Sequence, residues 1–159
     1  MQAYLTLDVG GTQIKSALLS EDYRLLEPVR RYDAKSDTGK EHILRNLNAI
    51  VTEGLGRAKD LGCRAAGVGI AFPGPFDYKR GISLMRGIGK YDALYGVDVG
   101  ACIRDLPCMR GLPLLFANDA DLYCLGECHL GGGRAFERVM LVCIGTGLGS
   151  GFVEKGRLD

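Results

Sequence analysis

A run of small, apolar residues from Ala65 to Phe72 is the feature of the sequence that most constrains its fold. A strand that is apolar at nearly every position is buried on both faces, which requires helices packed above and below its sheet. Apolar residues recur at helical spacing between Ile43 and Leu61, and Gly62 follows as a helix terminator. These two patterns predict an α/β fold in which helices cover a central sheet.

The remaining patterns predict a mixed sheet with helices on both faces. Three antiparallel strands come first, with Gly10 and Gly11 in the turn between the first two, and strands then alternate with helices. Asp37 or Thr38 is the predicted cap of the first helix, and residues 76–96 are predicted to be irregular or to form a hairpin. The predicted strands are residues 3–9, 13–20, 25–32, 65–72, 112–116, 138–144 and 148–154, the later helices are residues 97–106 and 119–130, and a flexible break is predicted at residues 131–133.

The end of the chain repeats the pattern of its beginning. A strand, a glycine turn and a second strand recur, so that Ile144 to Gly149 corresponds to Asp8 to Thr12. This weak internal repeat predicts two lobes: residues 1–133 form the first, and residues 134–159 supply only the first hairpin of the second. Because a lone hairpin is marginally stable in water, we expect the chain to be a truncated part of a longer protein, or to pair this hairpin with another copy.

Composition and charge exclude several classes of protein. The 159 residues are 47% hydrophobic and 25% charged, as in globular proteins and unlike disordered ones. The 20 basic and 19 acidic side chains nearly cancel to a net charge of +1, so no global field attracts nucleic acid or a membrane surface. The longest strictly apolar run, Val139 to Ile144, is too short to cross a bilayer, and no secretory signal precedes the first strand. We therefore expect a cytoplasmic protein without membrane or nucleic-acid partners.

The cysteines raise the question of a metal site. None of the six belongs to a CxxC pair, and a reduced cytosolic chain uses such cysteines as small buried apolar residues. Cys124, Cys128 and His129 share one predicted helix, but the usual two-plus-two spacing of zinc ligands is missing. Zinc binding is therefore the weaker of the two interpretations of this helix.

The segment from Asp8 to Lys15 carries the first candidate site. Gly10 and Gly11 let backbone N–H groups approach a phosphate with no Cβ in the way, and Thr12 adds a hydroxyl. Lys15 offers a positive charge to phosphate oxygens, and Asp8 can hold Mg²⁺ through water because this ion keeps much of its hydration shell. The alternative is an ordinary glycine hairpin with a solvated aspartate.

Two later segments carry compatible chemistry. Gly145, Thr146 and Gly147 form a second bare turn after an apolar strand, so the two turns predict two walls around one polyphosphate. Asn118 and Asp119 open a helix. They are either a helix cap, or an amide that holds a sugar hydroxyl and a general base that accepts its proton during phosphoryl transfer.

The turn from Phe72 to Pro75, which follows the buried strand, also has two interpretations. It is either a rigid proline turn, or a surface on which Gly74 leaves the main chain free to contact a flat sugar ring. The residue pattern by itself does not decide between them.

In combination, these segments resemble the ROK family of bacterial sugar kinases and repressors. The resemblance rests on residues 8–15, 71–75, 118–121 with the following 125–127, and 144–149, in that order. It implies a ribonuclease-H-like lobe of the actin-like ATPase superfamily. It also implies phosphorylation of a hexose or amino-hexose hydroxyl by ATP with Mg²⁺, and a homodimer.

The same resemblance implies roles for the matching residues. Asp119 corresponds to the catalytic base and Asn118 to a sugar contact. The remaining matches lie in phosphate loops: Gly10, Gly11, Thr12 and Lys15 in the first, and Gly145, Thr146 and Gly147 in the second.

The chain departs from the usual family pattern in two respects. Relatives commonly read Glu-Asn-Asp-Ala-Asn at the base motif, whereas Ala117 and Asp121 replace the outer residues here. The family's sugar-binding Glu and His, its zinc motif and its adenosine pocket would lie beyond Asp159, so we expect the 159-residue chain alone to be inactive. The lack of an amino-terminal helix-turn-helix favours the kinase branch. The alternative is a non-catalytic sugar-sensing or dimerisation module related to ROK transcriptional regulators.

Overall fold

The structure, a computed structural model, describes residues 1–144 and 148–158. Within these residues it contains ten strands, three α-helices and three short 3₁₀ turns. The strands are β1 (Gln2–Val9), β2 (Gln13–Leu19), β3 (Arg30–Asp33), β4 (Arg64–Phe72), β5 (Phe76–Asp77), β6 (Ile82–Ser83), β7 (Leu114–Asn118), β8 (Arg138–Ile144), β9 (Leu148–Glu154) and β10 (Arg157–Leu158). The helices are α1 (Lys40–Asp60), α2 (Val99–Arg104) and α3 (Asp119–Leu130).

The main sheet has the strand order β3-β2-β1-β4-β7. Strand β1 runs antiparallel to β2 and parallel to β4, which confirms the predicted mixed sheet. The chain divides into two compact units, Met1–Phe116 and Ala117–Asp159. The predicted start of a second lobe at residue 134 stays a prediction. Among the described residues, no helix is both long and apolar enough to span a membrane.

Helix α1 forms because its apolar residues share one face, and that face covers the sheet. Ile43, Leu47 and Val51 are fully buried in the same core as Leu5 of β1. The helix and strand approach closely at Gly54, where a methyl group would lie 2.5 Å from Cδ1 of Leu5. A side chain at this position would force the fully buried Leu5 to shift within a close-packed core, which favours glycine here.

The three-stranded sheet, of order β10-β9-β8, belongs to the second unit together with α3. One face of its β8–β9 hairpin packs against α3, as the alternating burial of β8 indicates. The other face exposes Met140, Val142 and Ile144 to solvent. Strand β10 is not among the strands predicted from the sequence.

The predicted third strand, residues 25–32, is wrong in its bounds, since β3 covers only Arg30–Asp33. Pro28 has no N–H to donate to a ladder, so pairing with β2 begins after it. Before the proline, the chain makes only a single bridge between Leu25 and Leu19.

Other boundaries also shift for local reasons. Helix α1 begins after Gly39 with no side-chain cap, because the Thr38 hydroxyl donates instead to the Lys35 carbonyl at 2.6 Å. Asp98 caps α2, which is shorter than predicted at both ends. The predicted flexible break at residues 131–133 is a 3₁₀ turn, Gly132–Ala135. Its Gly132 N–H donates to the Glu127 carboxylate at 3.0 Å.

Two glycines of α1 provide a matched test of this packing. We expect Gly54→Ala to lower the free energy of unfolding by about 1–3 kcal/mol, because the added methyl group overlaps Leu5. Gly56→Ala should raise it by up to about 1 kcal/mol, because this exposed position has nothing within 4 Å and alanine favours the helix. Urea denaturation of both variants measures the difference. Equal effects of the two substitutions would contradict the close helix–strand contact.

Candidate functional site

The backbone carbonyls of the turn between β1 and β2, residues 10–12, accept hydrogen bonds from other segments of the chain. The donors are the Tyr91 hydroxyl to Gly10 at 2.8 Å, the Ser36 hydroxyl to Gly11, and the Ala34 N–H to Thr12 at 3.0 Å. Within residues 1–144 and 148–158, the N–H groups of Gly11 and Thr12 donate to no protein acceptor. The turn therefore offers hydrogen-bond donors to a ligand while its acceptors are occupied, and this arrangement suits an anion.

Gly10 is required by the turn itself. Its N–H donates to the Gln13 carbonyl at 2.9 Å, and a methyl group at Gly10 would lie 2.9 Å from the same oxygen. Because that oxygen belongs to the backbone, a side chain at this position would open the turn.

Asp8 and Lys15 face each other across the hairpin. They are directly paired in the antiparallel ladder of β1 and β2, and the Lys15 Nζ lies 3.0 Å from Oδ2 of Asp8. Both side chains are about half exposed, at 51% for Asp8 and 47% for Lys15. An ion pair this exposed is weak, so either charge can be exchanged for a ligand.

The side chains that could bind a metal do not cluster in the described part of the chain. No group of three or more His, Cys, Asp or Glu side chains able to hold a metal ion occurs in the described part of the chain. This finding disfavours the zinc interpretation of Cys124, Cys128 and His129. A single exposed carboxylate, Asp8, fits Mg²⁺ held largely through water, because oxygen ligands and retained waters are what this ion prefers.

The turn that contains Gly74 emerges at the same edge of the sheet as the glycine turn. Strands β1 and β4 are parallel, and Asp8 pairs in register with Ala71 near the end of β4. Phe72 is fully buried, with its ring centroid 5.5 Å from that of Tyr91. The peptide bond between Gly74 and Pro75 is cis. The first unit thus brings the Asp8–Lys15 segment and the Gly74 turn to one edge.

Sequence reasoning missed Tyr91 and Ser36, which hold the glycine turn. They lie 81 and 25 residues away from the glycines that they contact. No local pattern signals such contacts, because they depend on how the intervening elements fold.

In the second unit, Asn118 is the cap of α3, which confirms the capping interpretation for this residue. Its Oδ1 accepts hydrogen bonds from the N–H groups of Ala120 at 2.9 Å and Asp121 at 3.3 Å. The next residue, Asp119, is exposed, and its Oδ1 accepts from the Ala120 N–H at 3.0 Å. Its role as a general base stays a prediction.

Helix α3 lies directly on the strand that follows the second glycine turn. A methyl group at Gly149 would lie 3.1 Å from Cβ of Ala120, and one at Gly151 would lie 2.8 Å from both the Ala120 carbonyl and Cβ of Cys124. The helix that opens with Asp119 is therefore packed backbone to backbone against β9. The predicted phosphate-loop residues Gly145, Thr146 and Gly147 lie outside the described residues.

Asp121, in the first turn of α3, has surroundings that disfavour its charge. Its pKa is raised above the ordinary value, first by burial and second by the negative charge of Asp119. The carboxyl in the position where relatives commonly carry Asn is thus electrostatically coupled to the predicted base.

Comparison with known proteins identifies relatives along nearly the whole chain. The model of the ROK family matches residues 4–159. The chain is 32% identical to a glucokinase of Thermotoga maritima over 152 residues, which covers 96% of this chain and 44% of that protein. It is 28% identical to an N-acetyl-D-glucosamine kinase of Haemophilus influenzae, which covers 98% of this chain and 47% of that protein. The chain therefore spans about half the length of these curated relatives.

Solved structures share the fold. A ROK hexokinase from Thermus thermophilus matches with a TM-score of 0.78 and 26% identity, over 99% of this chain and 48% of that chain. A ROK family glucokinase from Streptomyces griseus, in complex with glucose and AMPPNP, matches with a TM-score of 0.77 and 25% identity, over 99% of this chain and 46% of that chain. These matches confirm the predicted fold class, that of actin-like ATPases.

We predict that Asp121→Asn changes how stability depends on pH. The folded protein binds the Asp121 proton more tightly than the unfolded chain, whose pKa is 3.8. The stability that this proton contributes is therefore complete below pH 3.8 and is lost as the pH rises through the raised pKa. The variant lacks this loss, so its unfolding free energy relative to the parent should increase from about pH 3 to about pH 7. Urea denaturation across this range measures the effect, with Asp22→Asn, at an exposed turn, as control. Parallel pH profiles of Asp121→Asn and the parent would contradict the prediction.

Proposed function

The chain belongs to the ROK family, and on this basis we propose that it forms part of a kinase that transfers the terminal phosphoryl group of ATP to a hydroxyl of a hexose or amino-hexose. The observation that carries the proposal is the glycine turn at residues 10–12, whose carbonyls are occupied and whose Gly11 and Thr12 N–H groups have no acceptor among the described residues. The similarity to a glucokinase and an N-acetyl-D-glucosamine kinase supports a hexose or amino-hexose as the phosphoryl acceptor. The AMPPNP bound to the S. griseus glucokinase supports ATP as the phosphoryl donor.

The phosphates of ATP would lie against the first glycine turn. Gly10 and Gly11 let the phosphates reach the backbone, while Thr12 adds an exposed hydroxyl. Lys15 would turn from Asp8 toward a phosphate oxygen, which its exposure permits. Gly145, Thr146 and Gly147, which lie outside the described residues, are proposed as further phosphate contacts.

Asp8 is the proposed Mg²⁺ residue, holding the ion through its water shell. Bound Mg²⁺ would neutralise negative charge on the phosphate oxygens. The Asp8 carboxylate provides the hard oxygen acceptor for those waters, and its exposure leaves room for them. Asp8 is also the partner that Lys15 would leave when a phosphate binds.

Asp119 is the proposed general base. It would accept the proton of the attacking sugar hydroxyl while the new oxygen–phosphorus bond forms and the bond to ADP breaks. Its exposed carboxylate is suited to this role, since a base must be reachable by the substrate. Asn118, whose side-chain oxygen caps α3, and the main chain at Gly74 would contact the sugar.

We place the enzyme in the cytoplasm, as a homodimer with two lobes that divide near residue 133. The 159 residues alone would be inactive, because a cleft enzyme needs both walls to exclude water and to position its reactants.

Asp119→Asn in the full-length protein tests the proposed base. We expect kcat for hexose phosphorylation to fall by about 10²–10⁴, because general-base catalysis usually contributes that factor. An assay of ADP release over a panel of hexoses and amino-hexoses measures kcat. Asp121→Asn, two residues along the same helix, serves as the matched control and should stay within about tenfold of the parent. A kcat of Asp119→Asn within tenfold of the parent would exclude the role.

The same assay decides the alternative of a non-catalytic sugar-sensing or dimerisation module. Tight sugar binding without ADP release by the full-length parent would favour that module. A ROK family transcriptional regulator has the same fold, with a TM-score of 0.83 at 23% identity, so the fold is compatible with either outcome.

A further inference from the structure

A second lysine lies beside the first glycine turn. A methyl group at Gly11 would lie 3.1 Å from Cδ of Lys90, so the alkyl part of this side chain covers the turn. Lys90 is half-buried, and in the part of the chain that the structure describes it forms no ion pair and no hydrogen bond. Its ammonium group, two bonds beyond Cδ, therefore lies near the turn, with no protein partner among the described residues.

Two carboxylates near the glycine turn are each paired with a lysine other than Lys90. Asp8 is paired with Lys15 at 3.0 Å, and Asp33, on the neighbouring strand β3, is paired with Lys35 at 2.9 Å. Each of these carboxylates therefore has its own lysine. The ammonium of Lys90 and the N–H groups of Gly11 and Thr12, none of which has a protein partner in the described part of the chain, together make the turn a more complete anion site than its glycines alone.

Tyr91 holds the backbone of Lys90 in place. Its side chain is fully buried, its φ of 57° is left-handed, and its hydroxyl donates to the Gly10 carbonyl at 2.8 Å. Its N–H donates to the Ser36 carbonyl at 2.7 Å. Burial, with the charge of Asp33 as a smaller cause, raises the pKa of Tyr91, so the hydroxyl stays a donor across the physiological range.

The segment before Lys90 is also fixed. The two carboxylate oxygens of Asp92 accept from the N–H groups of Ile88 and Gly89, each at 3.1 Å. The loop backbone is therefore held on both sides of the lysine, and the side chain of Lys90 starts from a fixed position beside Gly11.

We propose that Lys90 binds phosphate oxygens at the first glycine turn, and that Tyr91 is the positioning residue that sets it there. This inference rests on the proposed function in one respect, namely that the phosphate is that of the nucleotide. Lys15 must leave Asp8 before it can bind a phosphate. Lys90 has no such partner among the described residues, so its positive charge is available to the anion at once.

Isothermal titration of inorganic tripolyphosphate into the full-length protein tests Lys90. We expect Lys90→Met to weaken binding by at least about tenfold, as for loss of a charged hydrogen bond, and Lys90→Arg to stay within about threefold of the parent. Lys79→Met, an exposed lysine with the same change of charge, is the control and should bind like the parent. Unchanged binding by Lys90→Met, or no binding by the parent, would overturn the proposal.

Failure of this inference is separable from failure of the proposed function. If the parent phosphorylates a hexose but Lys90→Met binds tripolyphosphate normally, only the role of Lys90 is overturned. If the parent phosphorylates no sugar while Lys90→Met still loses affinity for tripolyphosphate, the phosphate site stands and the kinase proposal falls. ATP and AMP titrations add a further check, since Lys90→Met should weaken binding of ATP and leave that of AMP unchanged.

Tyr91→Phe tests positioning, because it keeps the buried ring and removes the hydroxyl that reaches Gly10. We expect tripolyphosphate binding to weaken about threefold in the parent background, and by less in the Lys90→Met background. A purely structural loss would weaken binding by the same factor in both backgrounds, and that result would overturn the positioning role. Circular dichroism of each variant confirms that the fold is retained.

Discussion

The hydrogen bonds to the carbonyls of residues 10–12 are the constraint on which the candidate site depends. A glycine hairpin left to itself can rotate its peptide groups and present either donors or acceptors. Here Tyr91 and Ser36, from distant parts of the first unit, occupy the acceptors of Gly10 and Gly11. The N–H groups of Gly11 and Thr12 have no protein acceptor among the described residues, so the turn offers a ligand donors rather than acceptors.

The second unit uses glycine for a different purpose. Gly149 and Gly151 let α3 lie directly on β9, because a side chain at either position would meet Ala120 or Cys124. The helix start that carries Asn118 and Asp119 is therefore held against the hairpin by backbone contact. In the first unit glycine exposes the backbone to a ligand, whereas in the second it brings two elements together.

Charge is organised locally in this protein. The net charge is only +1, and the carboxylates of Asp8 and Asp33, near the glycine turn, are paired with Lys15 and Lys35. A chain with this balance attracts no polyanion at long range. Any preference for phosphate must then arise at short range, from oriented N–H groups and from an individual ammonium group such as that of Lys90.

Features set by neighbouring residues could be predicted from the sequence. Helix α1, strand β4, the two glycine hairpins and the cap at Asn118 follow from periodicity, glycine placement and capping chemistry, all of which act over a few residues. The start of β3 after Pro28 was also local, and proline's missing N–H could have predicted it. Only the folded chain brings Tyr91, Ser36 and Lys90 to the glycine turn, because their contacts join segments far apart in sequence, and no local pattern encodes such a meeting.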